Sequence, residues 1–202
     1  MPLIDIEPPY IIVKPDMSEE QFYRDSGEDS NWEYLDGRVV MHSPSSYRHE
    51  NLFGFLQFLM RGFAAERGIG IVLGSRTPMR LDERWSPEPD LLFVLEQHRS
   101  RMGKTRLEGP ADWVVEICSE SDPDLDYREK LPRYRSAAIP EIWIVDPFRT
   151  QVHVECAGSP PRVIQTGRID SAVAPGFWIE ADWLWQTDLP APLPCLMRIL
   201  GR

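Results

Sequence analysis

The sequence predicts a mixed fold of the α/β or α+β class, in which helices pack on a β-sheet. One observation is a long helical pattern between residues 46 and 67. Another is a series of short apolar runs between residues 70 and 118, rich in the β-branched and aromatic residues typical of strands. The third is the order of the segments, which is helix, strands, helix and strands. A chain with this order of segments can bury the apolar faces of its helices and strands by packing the helices against a sheet.

The first part of the chain predicts an arm, a short helix and a hairpin. Residues 1–16 carry four prolines, which disfavour a helix and predict an extended arm. Ser18 precedes two acidic residues and is typical of a helix N-cap. Asp36–Gly37 separates two strand-like runs, so we predict a tight hairpin with strands at 32–35 and 38–42.

The longest helix is predicted from Ser46 to Arg67, and Gly68 and Gly70 end it. Its apolar residues recur at steps of three and four, and they are Leu52, Phe55, Leu56, Leu59, Phe63 and Ala64. Strands are predicted in the next four runs, IGIVLGS, TPMRLD, PDLLFVLE and DWVVEIC.

The second half of the chain predicts one more helix and further strands. An interior proline removes a hydrogen bond, so Pro132 must kink or delay the helix in YREKLPRYRSAAIP. EIWIVDP and QVHVEC are predicted strands, and FWIEADWLW predicts a strand that runs into a short helix. We expect one globular unit made of an arm and helix (1–30), a core (31–156), and a Pro- and Trp-rich extension (157–202) that packs on the core.

Composition limits the classes of function and the cellular setting. The three cysteines are far apart and form no zinc-ligand or disulfide pattern, which predicts reduced thiols and a cytoplasmic protein. No secretory start and no run of 18 apolar residues is present, so we expect neither export nor a membrane span.

The charge balance argues against a general nucleic-acid binder. The net charge is -10, from 32 acids against 22 Lys and Arg, whereas such proteins are usually basic. One basic run, HRSRMGKTR, lies between the two runs that carry Asp90 and Glu116. It is either a solvated surface loop or the place where phosphate contacts concentrate, through Arg99, Arg101, Lys104 and Arg106.

Two carboxylates stand in or against apolar strands. In DWVVEIC the alternation of side chains puts Glu116 on one face with Val114 and Cys118, where a charge needs a partner, a proton or a metal. Asp90 opens the run LLFVL, at a strand end that can face a cleft. If neighbouring strands bring Asp90 and Glu116 together, either a shared proton or a divalent cation resolves their repulsion. Hard oxygen ligands suit Mg²⁺ or Mn²⁺, which can polarise a phosphoryl oxygen and activate water.

The helix after Glu116 offers a lysine for the same site. Asp126, Lys130 and Tyr134 occur at steps of four and share one helix face. Beside a metal, Lys130 would orient the attacking water or stabilise charge that develops in the transition state. The alternative is a plain helix ion pair between Asp126 and Lys130.

Four segments together resemble the Uma-two family of restriction-endonuclease-like proteins, a branch of the PD-(D/E)XK nuclease superfamily. They are WEYLDGRVVMHSPSSYRHE, PEPDLLFV, DWVVEICSES and DYREKLPRYRSAAIPEIWIVDP, and the match runs from about Trp32 to Val154. The resemblance implies a restriction-endonuclease-like mixed sheet flanked by helices, a metal-dependent nuclease, and a homodimer. It also implies a nucleic-acid partner, with DNA expected ahead of RNA.

The resemblance also assigns site residues. It makes Asp90 the aspartate of the first half of the motif and Glu116 the acid of the second half, both as metal ligands. Cys118 stands where the superfamily usually has its lysine, and Lys130 would substitute for it. Glu33 and His49 match the family's early acidic and histidine positions, and His49 would line the cleft or accept a proton.

Plainer interpretations stay open beside these. Asp90 can be a strand-end cap, Glu116 a buried acid paired with Lys130 without catalysis, and Glu33 a surface acid. His49 can be a helix residue bound to the backbone. The second functional hypothesis is therefore a catalytically inactive protein of the same fold that acts through binding or homo-oligomeric assembly.

Overall fold

The strands and helices build two main sheets, and the computed structural model describes them through residues 7–27, 30–74 and 76–202. The first half of the chain contains β1 (Ile11–Lys14), α1 (Glu19–Asp25), β2 (Trp32–Leu35), β3 (Arg38–His42), α2 (Tyr47–Arg67), β4 (Gly70–Gly74), β5 (Met79–Arg80), β6 (Trp85–Ser86) and β7 (Leu91–Leu95). A 3₁₀ helix (Glu96–Arg101) comes directly after β7.

The second half of the chain completes the larger sheet and adds the C-terminal helices. It contains β8 (Leu107–Glu108), β9 (Trp113–Ile117), a π-helical turn (Asp126–Lys130), α3 (Leu131–Ser136), β10 (Glu141–Asp146), β11 (Gln151–Cys156), β12 (Arg162–Ile164), β13 (Arg168–Asp170), β14 (Trp178–Glu180), α4 (Ala181–Leu184) and α5 (Pro192–Leu200). The predicted α/β class, a mixed sheet flanked by helices, is confirmed.

Among the described residues, the larger sheet has six strands in the order β12-β11-β10-β9-β7-β4. Strands β9 and β10 are parallel, and the other neighbours are antiparallel. A parallel pair needs a crossover connection, and here the π-helical turn and α3 supply it. Glu116 near the end of β9 and Lys130 in the crossover therefore belong to one strand-helix-strand unit.

The smaller sheet joins the arm to the predicted hairpin. Its order is β1-β3-β2-β6, with antiparallel pairing throughout. Asp36 and Gly37 both have positive φ angles, 53° and 76°, as the tight turn of such a hairpin requires. The hairpin strands have the predicted bounds. Residues 1–6 of the predicted arm, and Ser75 of the predicted strand IGIVLGS, lie outside the described residues.

The core lies on both faces of the larger sheet. On one face, Trp113 packs against Trp143 and Phe177, with ring centroids 4.7 and 5.5 Å away, beneath α2 and the C-terminal elements. The other face holds Val114 and Cys118 with residues of α3. The predicted alternation of side chains in DWVVEIC is therefore confirmed.

A buried carboxylate helps to attach the C-terminal extension to the sheet. Glu141 of β10 accepts hydrogen bonds from Trp143 Nε1 at 2.8 Å, Ser171 Oγ at 2.7 Å and the amide of Val173 at 2.8 Å. A buried acid needs such partners, and two of them lie in the extension.

Several local predictions are confirmed and two need correction. Ser18 and Ser46 cap α1 and α2, and Gly68 ends α2 in the left-handed conformation. The basic run was predicted as a loop, but its first part is the 3₁₀ helix, and TPMRLD forms a strand of only two residues. Among the described residues, no helix has both the length and the hydrophobicity needed to cross a bilayer.

Two glycines of α2 allow a test of how α5 packs on this helix. A Cβ at Gly54 would meet no atom within 4 Å, whereas a Cβ at Gly62 would overlap the tip of Leu196 in α5. Gly54→Ala should raise the free energy of unfolding by about 1 kcal/mol, since alanine favours a helix. Gly62→Ala should raise the free energy of unfolding by less, because the side chain of Leu196 must move to make room for the added methyl group. Urea denaturation of both variants measures the difference, and equal gains would contradict this packing.

Candidate active site

A cleft of about 890 Å³ opens beside the ends of β7 and β9. Its walls are Pro8–Tyr10 of the arm, the segment 42–46, the first turn of α2, and the loop 119–122 with Leu125. At its floor lie carboxylates from three separate elements together with Lys130. The cleft therefore forms where the two sheets, α2 and the crossover meet.

Sheet pairing brings Asp90 and Glu116 together. Leu91 is paired with Val115, so the antiparallel register sets Asp90 opposite Glu116. Asp90 Oδ2 accepts a hydrogen bond from the amide of Ile117 at 2.7 Å, and the amide of Asp90 donates to Glu116 Oε2 at 3.4 Å. The predicted meeting of these two acids on neighbouring strands is thus a consequence of strand register.

The amine of Lys130 lies among three carboxylates. Its Nζ is 2.9 Å from Glu33 Oε1, and 3.3 Å from both Glu116 Oε1 and Asp126 Oδ1. All four side chains are almost completely buried. Their charges interact strongly because little water screens them.

The local structure of the crossover explains how Lys130 reaches the acids despite Pro132. The π-helical turn ends at Lys130, and Pro132 is the second residue of α3. A proline lacks an amide donor, and the helix meets this loss with the π-helical turn, in which the amide of Leu131 donates to the carbonyl of Asp126. The prediction of a disturbed helix is confirmed, and the disturbance leaves Lys130 directed at Glu116.

Glu33 is buried rather than on the surface. Its Oε1 accepts the amide of Glu88 at 2.9 Å as well as Lys130, and its Oε2 is 2.8 Å from His42 Nε2. Burial would raise its pKa, but the charge of Lys130 and the His42 bond lower the pKa of Glu33 to about 2. The surface interpretation of this residue is wrong, because β2 packs its side chain against the crossover.

His49 contacts Asp90 from the first turn of α2. Ser46 Oγ caps the helix by accepting the amide of His49 at 3.2 Å, and His49 Nε2 lies 3.3 Å from Asp90 Oδ2. Burial opposes protonation, but the charge of Asp90 raises the pKa of His49. The amide of His49 thus belongs to the helix cap, while its imidazole is a neighbour of the acid pair.

Three further acids of the cleft, Glu88, Glu116 and Asp126, have raised pKa values and so hold their protons more strongly than usual. Burial and the charge of Glu33 raise the pKa of Glu88 to about 8. Burial raises the pKa of Glu116 well above its ordinary value and raises that of Asp126, although Lys130 opposes both shifts. Burial is the main cause, and neighbouring acids add to it, since the cleft lining among the described residues has eight carboxyl side chains against one lysine and one arginine.

The structure brings five of the predicted site residues together and leaves the basic run elsewhere. Asp90, Glu116, Lys130, His49 and Glu33 all line the cleft. Arg99, Arg101, Lys104 and Arg106 do not line it; three of them contact Glu96, the carbonyl of Pro110, and Glu108 with Tyr23. Their role in nucleic-acid contact stays a prediction.

Glu88, His42 and Tyr134 also contact residues of the site, although the sequence predicts no role for them. Glu88 stands two residues before Asp90, and both line the cleft. Tyr134 follows Lys130 by four residues, about one helical turn, and its hydroxyl donates to Glu116 Oε1 at 2.5 Å. His42 has no such signal, because its contact with Glu33 depends on pairing between β2 and β3.

The donor chemistry of Asp90 and Glu116 fits a hard divalent cation. No group of three or more His, Cys, Asp or Glu side chains among the described residues is arranged as a complete metal site. Mg²⁺, however, often takes one or two carboxylates and keeps several waters. The two acids lie at an open cleft with excess negative charge, which a cation would offset.

Removal of the buried amine should destabilise the fold in a pH-dependent way. Lys130→Met leaves three buried carboxyls without their cation, and we expect a loss of about 3 to 5 kcal/mol in the free energy of unfolding at pH 8. The loss should shrink at pH 5, because these carboxyls then take up protons. Urea denaturation at both pH values tests this, with the exposed Lys104→Met as the control. An equal loss at both pH values would contradict the charge explanation.

The chain is similar to a known protein family over most of its length. The model of the Uma2 family, described as "Putative restriction endonuclease", matches residues 19–182. A search of curated proteins found no match.

A solved structure shares the fold. The crystal structure of "a putative nuclease belonging to DUF820" from Anabaena variabilis ATCC 29413 superposes with a TM-score of 0.72 at 13% sequence identity. The similarity covers 84% of this chain and 97% of that chain. Because the family model matches most of the sequence, the chain belongs to the Uma2 family of putative restriction endonucleases.

Proposed function

We propose that the chain is a divalent-metal-dependent nuclease that hydrolyses phosphodiester bonds of nucleic acid. The observation that carries this proposal is the meeting of Asp90, Glu116 and Lys130 at the floor of an open cleft. The nuclease-like family supports the same reaction class.

Asp90 and Glu116 would hold Mg²⁺ or Mn²⁺. In each carboxylate, one oxygen has two close protein contacts and the other has fewer. Asp90 Oδ2 contacts both the amide of Ile117 and His49 Nε2. Glu116 Oε1 contacts both Tyr134 and Lys130. Asp90 Oδ1 and Glu116 Oε2 are therefore the oxygens that we assign to a cation. When bound, such a cation would polarise the phosphoryl oxygens and lower the pKa of water.

Lys130 acts in this proposal as a fixed positive charge rather than as a base. Burial alone would lower its pKa, but Glu116, Glu33 and Asp126 raise the pKa of Lys130 well above its ordinary value. An ammonium that keeps its proton can orient a water by donating a hydrogen bond, or stabilise charge on the reacting phosphate. Glu33 and Asp126 hold Lys130 in place from two sides.

His49 orients Asp90 in this proposal. Its Nε2 contacts the same oxygen that accepts the amide of Ile117, so Asp90 is held from the sheet and from α2. The transfer of a proton through His49 stays a prediction, as do a homodimer and a cytoplasmic location. We propose DNA ahead of RNA as the substrate because the family is described as restriction endonucleases.

A specific observation also favours the catalytically inactive alternative. Three buried carboxylates surround Lys130, and such a cluster can be purely structural. A binding or assembly protein would keep this cluster without binding metal. Metal affinity therefore discriminates the two functions.

Metal titration and cleavage test the proposed function. We expect calorimetry to show Mn²⁺ and Mg²⁺ binding to the unmodified protein, and Asp90→Asn or Glu116→Gln to weaken it at least about tenfold, because each removes a charged ligand. Cleavage of mixed DNA and RNA should require the metal and fall by about 100-fold or more in both variants.

An exposed acid provides the matched control. Asp188→Asn removes an exposed carboxylate that is not part of the cleft lining, and it should leave metal binding and cleavage unchanged. Absence of metal binding to the unmodified protein, or cleavage that persists in a chelator, would refute the metal-dependent mechanism. The first of these results would favour the inactive alternative.

A further inference from the structure

Tyr134 approaches Glu116 from the crossover helix. Its hydroxyl donates to Glu116 Oε1 at 2.5 Å, and its side chain is almost completely buried. The ring packs in the apolar cluster between α3 and the sheet, beside Val114 and Ile144. The ring of Tyr134 therefore packs in the hydrophobic core, and the hydroxyl is the only polar group of this side chain.

Two donors from one helix face engage the same oxygen of Glu116. Lys130 and Tyr134 are four residues apart, and both contact Oε1, at 3.3 Å for the amine and 2.5 Å for the hydroxyl. The second oxygen, Oε2, lies toward the amide of Asp90 at 3.4 Å. With one oxygen held on the helix side, the carboxylate has little freedom to rotate.

The phenol donates to Glu116 as a neutral group. A hydroxyl that donates to a carboxylate forms one of the stronger hydrogen bonds in proteins. Unlike the amine of Lys130, it adds no charge, so it can direct Glu116 without competing with a cation.

We propose that Tyr134 is a positioning residue for Glu116: its hydroxyl holds Oε1 on the helix side, so that Oε2 is presented to a divalent cation together with Asp90. This inference rests on the proposed function and deepens it. Outer partners of metal-binding carboxylates act in this way because they set the orientation of the ligand before the metal arrives.

A purely structural role for Tyr134 is the rival explanation. In that case the ring fills the core, and the hydroxyl only satisfies a buried carboxyl. The two explanations predict different results when the hydroxyl alone is removed. A structural role changes the stability of the fold, whereas a positioning role changes the affinity for metal in protein that is still folded.

Tyr134→Phe separates the two roles because it keeps the ring. We expect calorimetric titration to show Mn²⁺ binding about 10- to 100-fold weaker than in the unmodified protein. Cleavage at saturating Mn²⁺ should show a lower kcat with an unchanged KM for nucleic acid, since Tyr134 does not line the cleft. Thermal unfolding without metal verifies that the variant is folded.

Tyr127→Phe is the matched control. Tyr127 lies on the same crossover, and its hydroxyl accepts only a long bond from Gln151 Nε2 at 3.4 Å. That bond engages no carboxylate of the cleft, so its loss should leave Mn²⁺ affinity unchanged. If Tyr134→Phe fails to fold, a fluorinated tyrosine at position 134 keeps the ring and hydroxyl but changes the hydrogen bond, and it should alter Mn²⁺ affinity.

The outcomes distinguish this inference from the proposed function. If the unmodified protein binds no Mn²⁺, the proposed metal site is refuted, and the positioning role is refuted with it. If the unmodified protein binds Mn²⁺ and folded Tyr134→Phe binds it equally well, only the positioning role is refuted. An equal loss in Tyr127→Phe would also refute it, because the effect would then not depend on Glu116.

Discussion

The burial of one ammonium among three carboxylates is the constraint on which the site depends. Lys130 reaches Glu33, Glu116 and Asp126 at once, so it joins the hairpin, the central sheet and the crossover helix. Water does not screen these buried charges, so removal of any one of them would leave the others uncompensated and destabilise the fold. An arrangement that must stay complete to remain folded also keeps its members in fixed positions, which is the property that a catalytic site requires.

The parallel pairing of β9 and β10 makes this arrangement possible. Parallel neighbours require a crossover, and the crossover returns the chain over the sheet face that carries Glu116. The π-helical turn before Pro132 then directs Lys130 toward the strand end. Such turns are often found at functional sites, where an altered helical register re-aims a side chain.

The negative charge of the whole molecule and that of the cleft both oppose the approach of nucleic acid. A protein of net charge -10 repels nucleic acid at long range, and the acidic cleft adds to that repulsion. Under the proposed function, cations in the cleft would relieve both effects, so metal binding would determine access of the substrate as well as the chemistry.

The sequence by itself determined the elements with strong local signals. Ser18, Ser46, Gly68 and Asp36–Gly37 act within a few residues, so the caps and the hairpin are predictable from neighbours alone. Two-residue strands such as β5 and β6 are too short to show a period, and tertiary pairing creates them. Strand and helix patterns in the sequence pointed to Asp90, Glu116 and Lys130, and resemblance to a family added His49 and Glu33. Only the folded chain buried Glu33 and directed the hydroxyl of Tyr134 at Glu116. These contacts join residues far apart in sequence, and their geometry results from strand register and helix packing, which no local pattern encodes.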